Sequence, residues 1–315
     1  MAWMPGDPWV WLSLLLAVPA TLSPLTRRLG MGLLATAMAV AAIGGARAPG
    51  TGPETYGTLT LPAAATLLLL ILAACAVSRR GVLAKFAGHA IFVALAIALC
   101  LHLAPGFHNA PMPGGRLTSD AVPYAWYLNL DKPLVGFWLV LVLPWIHPPR
   151  SASTVLAWGA AAWIGTSAVC LAVATAFGMV AWAPKWPMGN GAWVALWLLN
   201  NLLLVTFAEE ALFRGYVQGG LSRLLAGRRH GDRLALCLSA ALFGTAHIGG
   251  GWQWMVLAGI AGIGYGVAYR RGGLYAAMLA HFGLNAVHLL LFTYPMRDTV
   301  LPEARLATTF LGLIP

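Results

Sequence analysis

Residues 192–214 read AWVALWLLNNLLLVTFAEEALFR: an apolar run from Ala192 to Phe207, then Glu209 and Glu210, then Arg214. A stretch of this length and character can cross a bilayer as helix, which takes roughly 20 residues. Outward from it, further apolar runs fall at 9–25, 30–46, 59–77, 83–104, 133–147, 154–183, 234–249, 253–269 and 273–294. A membrane barrel would instead show short segments of alternating polarity. The expected fold is therefore all-α, a polytopic transmembrane helical bundle of about ten helices.

Composition leads the same way. The 315 residues are 60% hydrophobic and 9% charged, with a mean hydropathy of +0.77, which leaves too little polar surface to coat a soluble globule. The lipid bilayer is the expected solvent. A net charge of +10 would suggest nucleic acid in a soluble protein. Here Lys and Arg sit in short loops between apolar runs, so the charge is read as topogenic and no nucleic-acid partner is expected. Fourteen tryptophans suit an interfacial belt. Cys75, Cys100, Cys170 and Cys237 show no CxxC spacing and are read as small buried hydrophobes. The opening MAWMPGDPWVWLSLLL lacks a basic leader region, which predicts a retained first helix.

On the ten-span reading, twelve Lys and Arg residues collect on one side, in loops around 27–28, 79–85, 150, 223–233 and 270–271; the other side collects Arg47, Arg116, Lys132, Lys185, Arg297 and Arg305. The positive-inside rule places the richer side in the cytoplasm and both termini outside. The expected location is a bacterial cytoplasmic membrane. Turn residues mark loops at 48–50, 111–115, 147–149, 184–187 and 249–251. The Pro- and Gly-rich segment 105–132 is expected outside, with Tyr124, Trp126 and Tyr127 forming a short interfacial helix. Three regions follow: membrane helices over 1–150, a functional core over 151–295 and a tail over 296–315. No internal repeat is visible.

Of nine acidic residues, seven fall in loops or tails, whereas Glu209 and Glu210 belong to a membrane helix, expected near its cytoplasmic end. An ionisable side chain costs about 2.5–3.5 kcal/mol at the centre of a spanning helix, so two adjacent carboxylates need a reason. Arg214, four residues after Glu210, can neutralise that residue on one helical face. Glu209 is rotated by about 100° and points along another. The next helix carries Phe243-Gly-Thr-Ala-His247, and the last carries His281-Phe-Gly-Leu-Asn285, with His288 a further turn along the same face. Such groups can simply bond neighbouring helices. Together they also supply the parts for amide hydrolysis. A carboxylate in a low-dielectric site serves as general base toward water, an imidazole orients that water or protonates the amine, and a second His with an Asn offers donors to an oxyanion. Glu209, His247 and His281 can alternatively hold a divalent metal such as zinc with an open fourth position. HExxH is absent, so the metal question stays open. Convergence of these side chains on a water-sized, cytoplasm-facing cavity is the structural expectation. Ala258, Gly262 and Gly266 are expected to let a neighbouring helix approach closely, while Gly244 and Gly283 give backbone access beside the histidines.

The series Glu209-Glu210-Ala-Leu-Phe-Arg214, Phe243-Gly-Thr-Ala-His247 and His281-Phe-Gly-Leu-Asn285 resembles, in order and spacing, the EExxxR, FxxxH and HxxxN motifs of the CPBP family, the CAAX-protease and bacteriocin-processing enzymes also called Abi. The resemblance covers about 190–290. It implies an intramembrane endopeptidase acting on a membrane-anchored peptide or protein, of CAAX-type or C-terminal-signal processing. Glu209 and His247 would activate water, His281 and Asn285 would stabilise the oxyanion, and Glu210, Arg214 and Phe243 would support them. It leans toward a glutamate mechanism with no metal. Two other readings compete: a non-enzymatic membrane immunity or scaffold protein, and a proton-coupled transporter in which the buried Glu and His form a relay.

Overall fold

The computed structural model describes residues 5–48, 52–148, 150–185 and 191–299. The expected turn at 48–50, much of the 184–187 loop and most of the 296–315 tail, with Glu303 and Arg305, lie outside the described residues. Nine helices are present among those described: α1 Pro8–Leu22, α2 Arg27–Arg47, α3 Leu61–Val77, α4 Val82–Cys100, α5 Lys132–Val142, α6 Ala152–Ala176, α7 Gly191–Leu224, α8 Gly231–Ala246 and α9 Trp252–Leu291. The class is all-α. Five of the nine (α2, α4, α6, α7 and α9) are long and apolar enough to cross a membrane; α1, α3 and α5 are shorter apolar helices. Length therefore does not confirm about ten spans. The last two expected runs both fall on α9, which turns sharply at Gly273 (φ 77°, ψ −169°), a conformation a side chain would strain. Large apolar residues such as Leu68, Ile71, Leu156 and Ile164 face outward, as helices solvated by lipid require.

Helix starts follow local chemistry. Asp7 accepts from the Trp9 amide at 2.9 Å ahead of Pro8, and Ser151 accepts from the Thr154 amide at 3.3 Å, each satisfying a donor that the helix leaves orphaned. Asp131 caps α5 through the Lys132 amide at 2.8 Å.

The chain forms two compact units. The first comprises 1–112, 127–144 and 203–208. In it Trp138 stacks on Phe92 with ring centres 3.9 Å apart and donates to the Leu70 carbonyl at 2.8 Å. Strands β1 (Thr58–Leu59) and β2 (Phe107–His108) pair antiparallel. Strands β3 (Ala110–Gly115) and β4 (Tyr124–Leu128) form a second two-stranded sheet. Tyr124, Trp126 and Tyr127 thus lie on a strand rather than on the interfacial helix expected. The stretch Tyr-Ala-Trp-Tyr-Leu alternates buried and exposed, the two-residue period of a strand, and aromatic side chains favour that geometry.

The second unit comprises 113–126, 145–202 and 209–315 and carries the polar helices. Its loops gather into two groups. One joins 116–122, 179–185 and 292–298 by backbone hydrogen bonds, among them Val122 to Met296, Thr293 to Ala181 and Arg297 to Met179, all between 2.8 and 2.9 Å. Side chains reinforce this cap: Arg116 meets Asp298 at 2.9 Å, and Thr293 donates to Asp120 at 3.1 Å. The hydroxyl of Thr118, then that of Thr293, holds the Asp120 carboxyl below its usual range, while burial lowers Lys185 to about 8. The other group joins the basic loops. Tyr269 donates to the Ile146 carbonyl at 3.0 Å, Arg270 meets Asp232 at 3.1 Å, and Arg223 lies over Trp145 at 5.3 Å. The small residues of α9 work as expected at two positions: a Cβ on Gly262 would stand 3.0 Å from the Ala240 Cα, and one on Gly266 would stand 2.7 Å from Gln218 Oε1. Only Cys170 of the four cysteines is buried; Cys75 and Cys237 are exposed and Cys100 is intermediate, because an apolar face turned to lipid does not distinguish core from surface.

Candidate active site

Helix α7 leaves regular α geometry twice, with π-helical turns over Asn201–Thr206 and Ala211–Gln218 on either side of Phe207–Glu210. Such turns are rare and cluster at functional sites, since the widened ladder re-aims side chains. Glu209 and Glu210 lie near the middle of the helix rather than near its end, because helical geometry continues through Arg214 to Leu224 where the sequence suggested a stop.

Both carboxylates are buried: Glu209 is 6% exposed and Glu210 0%. Glu210 Oε2 pairs with Arg214 Nε at 3.2 Å, the i, i+4 pair read from the spacing. Arg214 is itself fully buried, donates to Ser239 Oγ at 3.2 Å, and carries its guanidinium 4.8 Å from the Phe243 ring centre. Ser239 passes the network on to the Phe213 carbonyl at 2.6 Å. A buried ion is tolerated only when paired and hydrogen-bonded in this way.

The last helix closes on this pair. His281 Nδ1 donates to Glu210 Oε1 at 2.9 Å, and its Nε2 stands 3.9 Å from Glu209 Oε2. Its ring stacks on Tyr265, with centres 4.6 Å apart and planes 14° apart, which fixes its orientation. His281 thus touches both carboxylates, a link that motif spacing on separate helices does not reveal. Asn285, one turn on, donates to Asn201 Oδ1 at 3.3 Å. Asn201 escaped the sequence reading. The signal that could have found it was Asn200-Asn201 inside an apolar run, the same desolvation argument used for the glutamates.

His247 lies just past the end of α8. Its Nδ1 hydrogen-bonds the Phe243 carbonyl at 2.8 Å; the carbonyl only accepts, so Nδ1 carries a hydrogen. Phe243 packs at once against His247, His281 and Arg214. A cavity of about 90 Å³ is lined by His247, His281, Asn285 and His288 among mostly apolar side chains, space for about three waters. Glu209 is not among its lining residues; it adjoins His281, which is. Gly244 and Gly283 serve packing rather than access. A Cβ on Gly244 would lie 2.7 Å from the Met255 carbonyl oxygen, and one on Gly283 would lie 2.3 Å from the Trp163 ring.

Among the described residues no three His, Cys, Asp or Glu side chains gather as a metal ion would need. Glu209, His247 and His281 do not form such a group in this arrangement; His281 Nδ1 is engaged by Glu210 and His247 Nδ1 by a carbonyl, so only Nε2 of either ring faces other partners.

Residues 191–287 match the family model of the type II CAAX prenyl endopeptidase Rce1-like proteins. The match spans about a third of the chain, holds all three motifs, and supports the resemblance of this segment to the CPBP family. No curated protein and no solved structure gives a match. With its apolar helices, the chain is a membrane protein carrying CAAX-protease-like sequence.

Proposed function

We propose that the protein is a glutamate-dependent intramembrane endopeptidase that hydrolyses a peptide bond in a membrane-anchored protein or peptide. The observation that carries this reading is His281 in contact with both buried carboxylates, on the wall of a water-sized cavity it shares with His247 and Asn285. Glu209 takes a proton from water while His247, whose Nδ1–H is given to the Phe243 carbonyl, accepts the same water through Nε2. The hydroxide so generated attacks the scissile carbonyl. Asn285 uses one amide hydrogen on Asn201 and has a second for the oxyanion, beside His281. Glu209 then returns its proton to the leaving amine. Glu210 and Arg214 hold His281 in place. Two carboxylates facing one guanidinium are neutral only with one further proton, the proton that hydrolysis needs to move.

The finer expectations belong with this reading: ten spans counting both arms of α9, an N-terminal set of membrane helices before the 151–295 core, the basic loops in the cytoplasm and both termini outside, in a bacterial cytoplasmic membrane. CAAX-type processing is the substrate class suggested by the family match, and C-terminal-signal processing the other that the resemblance implies.

The reading is tested with His247→Ala and Asn285→Ala in proteoliposomes holding membrane-anchored peptides. Each is expected to lower kcat by about 10²–10³-fold, the range for loss of one positioned acid-base or oxyanion group, while thermal stability in detergent stays within about 1 kcal/mol of wild type. Full activity of both variants would assign the chemistry elsewhere. The same assay with a strong chelator separates a metal-free route, which survives, from a metal route, which is lost and restored by zinc.

A further inference from the structure

The cavity does not sit midway between the two loop groups of the second unit. From α6 it takes Cys170, Leu171 and Ala174, all within the last turns, together with Met179 and Val180 just beyond the helix. From α8 it takes Phe243, near the end, and then His247 and Gly250 in the following turn. Both arms of α9 behave alike. The first contributes residues between Trp254 and Tyr265 and none closer to Gly273; the second contributes residues between His281 and His288, with Tyr294 beyond the helix end. The walls from α6 and α8 are thus helix ends on the side of the 179–185 and 292–298 cap, those from α9 run from that side to Tyr265 and His281 near the middle of its two arms, and no wall comes from the end that meets the basic loops.

The two ends differ in charge. The loops 145–151, 219–233 and 270–273 hold seven arginines and one aspartate, whereas the cap segments 113–122, 177–191 and 292–299 hold three basic and two acidic residues. Basic loops stay in the cytoplasm. The cavity then lies in the extracytoplasmic half of the membrane, opposite to the cytoplasm-facing opening that the sequence suggested.

We propose that the site is entered from the extracytoplasmic side, and that its substrate is a membrane-anchored polypeptide whose cleaved bond lies at the extracytoplasmic end of its span. The nature of what enters rests on the peptidase reading; the side of entry does not. A space of about 90 Å³ with mostly apolar walls accepts one apolar side chain of such a segment.

Accessibility labelling tests the side of entry without relying on activity. In a full-length background with Cys75, Cys100, Cys170 and Cys237 changed to Ala, Leu284→Cys on the cavity wall is compared with Arg228→Cys on a basic loop, using a membrane-impermeant maleimide on intact bacterial spheroplasts. Trp254→Cys, on the facing arm of α9, replaces Leu284→Cys if that variant fails to fold. The expected result is labelling of the cavity cysteine in intact spheroplasts and labelling of Arg228→Cys only after permeabilisation. A cavity cysteine that labels only after permeabilisation, or never in the folded protein, overturns the proposal, as does an Arg228→Cys that labels from outside. Loss of the peptidase reading would show in cleavage assays and leave this labelling pattern unchanged.

Discussion

The guanidinium of Arg214 meets Glu210 and Ser239 at 3.2 Å each with no exposed surface. Removing it leaves Glu210 charged and buried with only His281 against it, and breaking a buried pair in this way typically costs about 3–5 kcal/mol. Arg214→Met, which keeps the apolar stem, is therefore expected to lower the unfolding midpoint in detergent sharply. Glu210→Gln with Arg214→Met is expected to recover much of that loss, because the uncompensated charge is gone; equal destabilisation by the single and double variants would contradict the pairing. At this scale the sequence was informative for residues on one helix. The i, i+4 spacing led directly to the Glu210–Arg214 pair, and the scarcity of membrane carboxylates led to Glu209. What lay beyond it was the partner chosen across helices: His281 Nδ1 bonds Glu210 rather than Glu209, a choice set by the rotation of two helices about their axes.

Helices α7 and α9 show what periodicity does and does not carry. Regular 3.6-residue spacing gave the faces of α9, but nothing in composition marks the π-helical turns of α7 around the carboxylates, since these reflect how the ladder accommodates its neighbours. The small residues were legible as close-packing positions, yet the role of Gly283 was not. It lies against the Trp163 ring of α6, where even one carbon would stand 2.3 Å away. Gly283→Ala is expected to push α9 from α6 and cost about 1–3 kcal/mol, the usual range for overpacking, read as a lower unfolding midpoint together with reduced activity because His281 and Asn285 flank it. Unchanged stability would mean that Trp163 moves aside freely and that this contact does not position the last helix.

Across the whole chain, the alternation of basic and neutral loops anticipated which loops meet in the second unit: 116–122, 179–185 and 292–298 are joined by hydrogen bonds, and the loops near Ile146, Asp232 and Arg270 are joined as well. Apolarity anticipated helices in a membrane but not their number as spans, because a short apolar helix and a spanning one read alike until their ends are located. It also hid the strand at Tyr124–Leu128, whose aromatic residues within a Pro- and Gly-rich segment suggested a short interfacial helix. The account as a whole stands on Glu209 as the group that activates water. The measurement that tests it most directly is mass-spectrometric detection of new peptide termini when purified protein, wild type or Glu209→Gln, is reconstituted in liposomes with a panel of membrane-anchored peptides. The account predicts cleavage by wild type and a loss of at least about 10²-fold in the variant at unchanged stability; equal cleavage by the two proteins, or none by wild type across the panel, would contradict it.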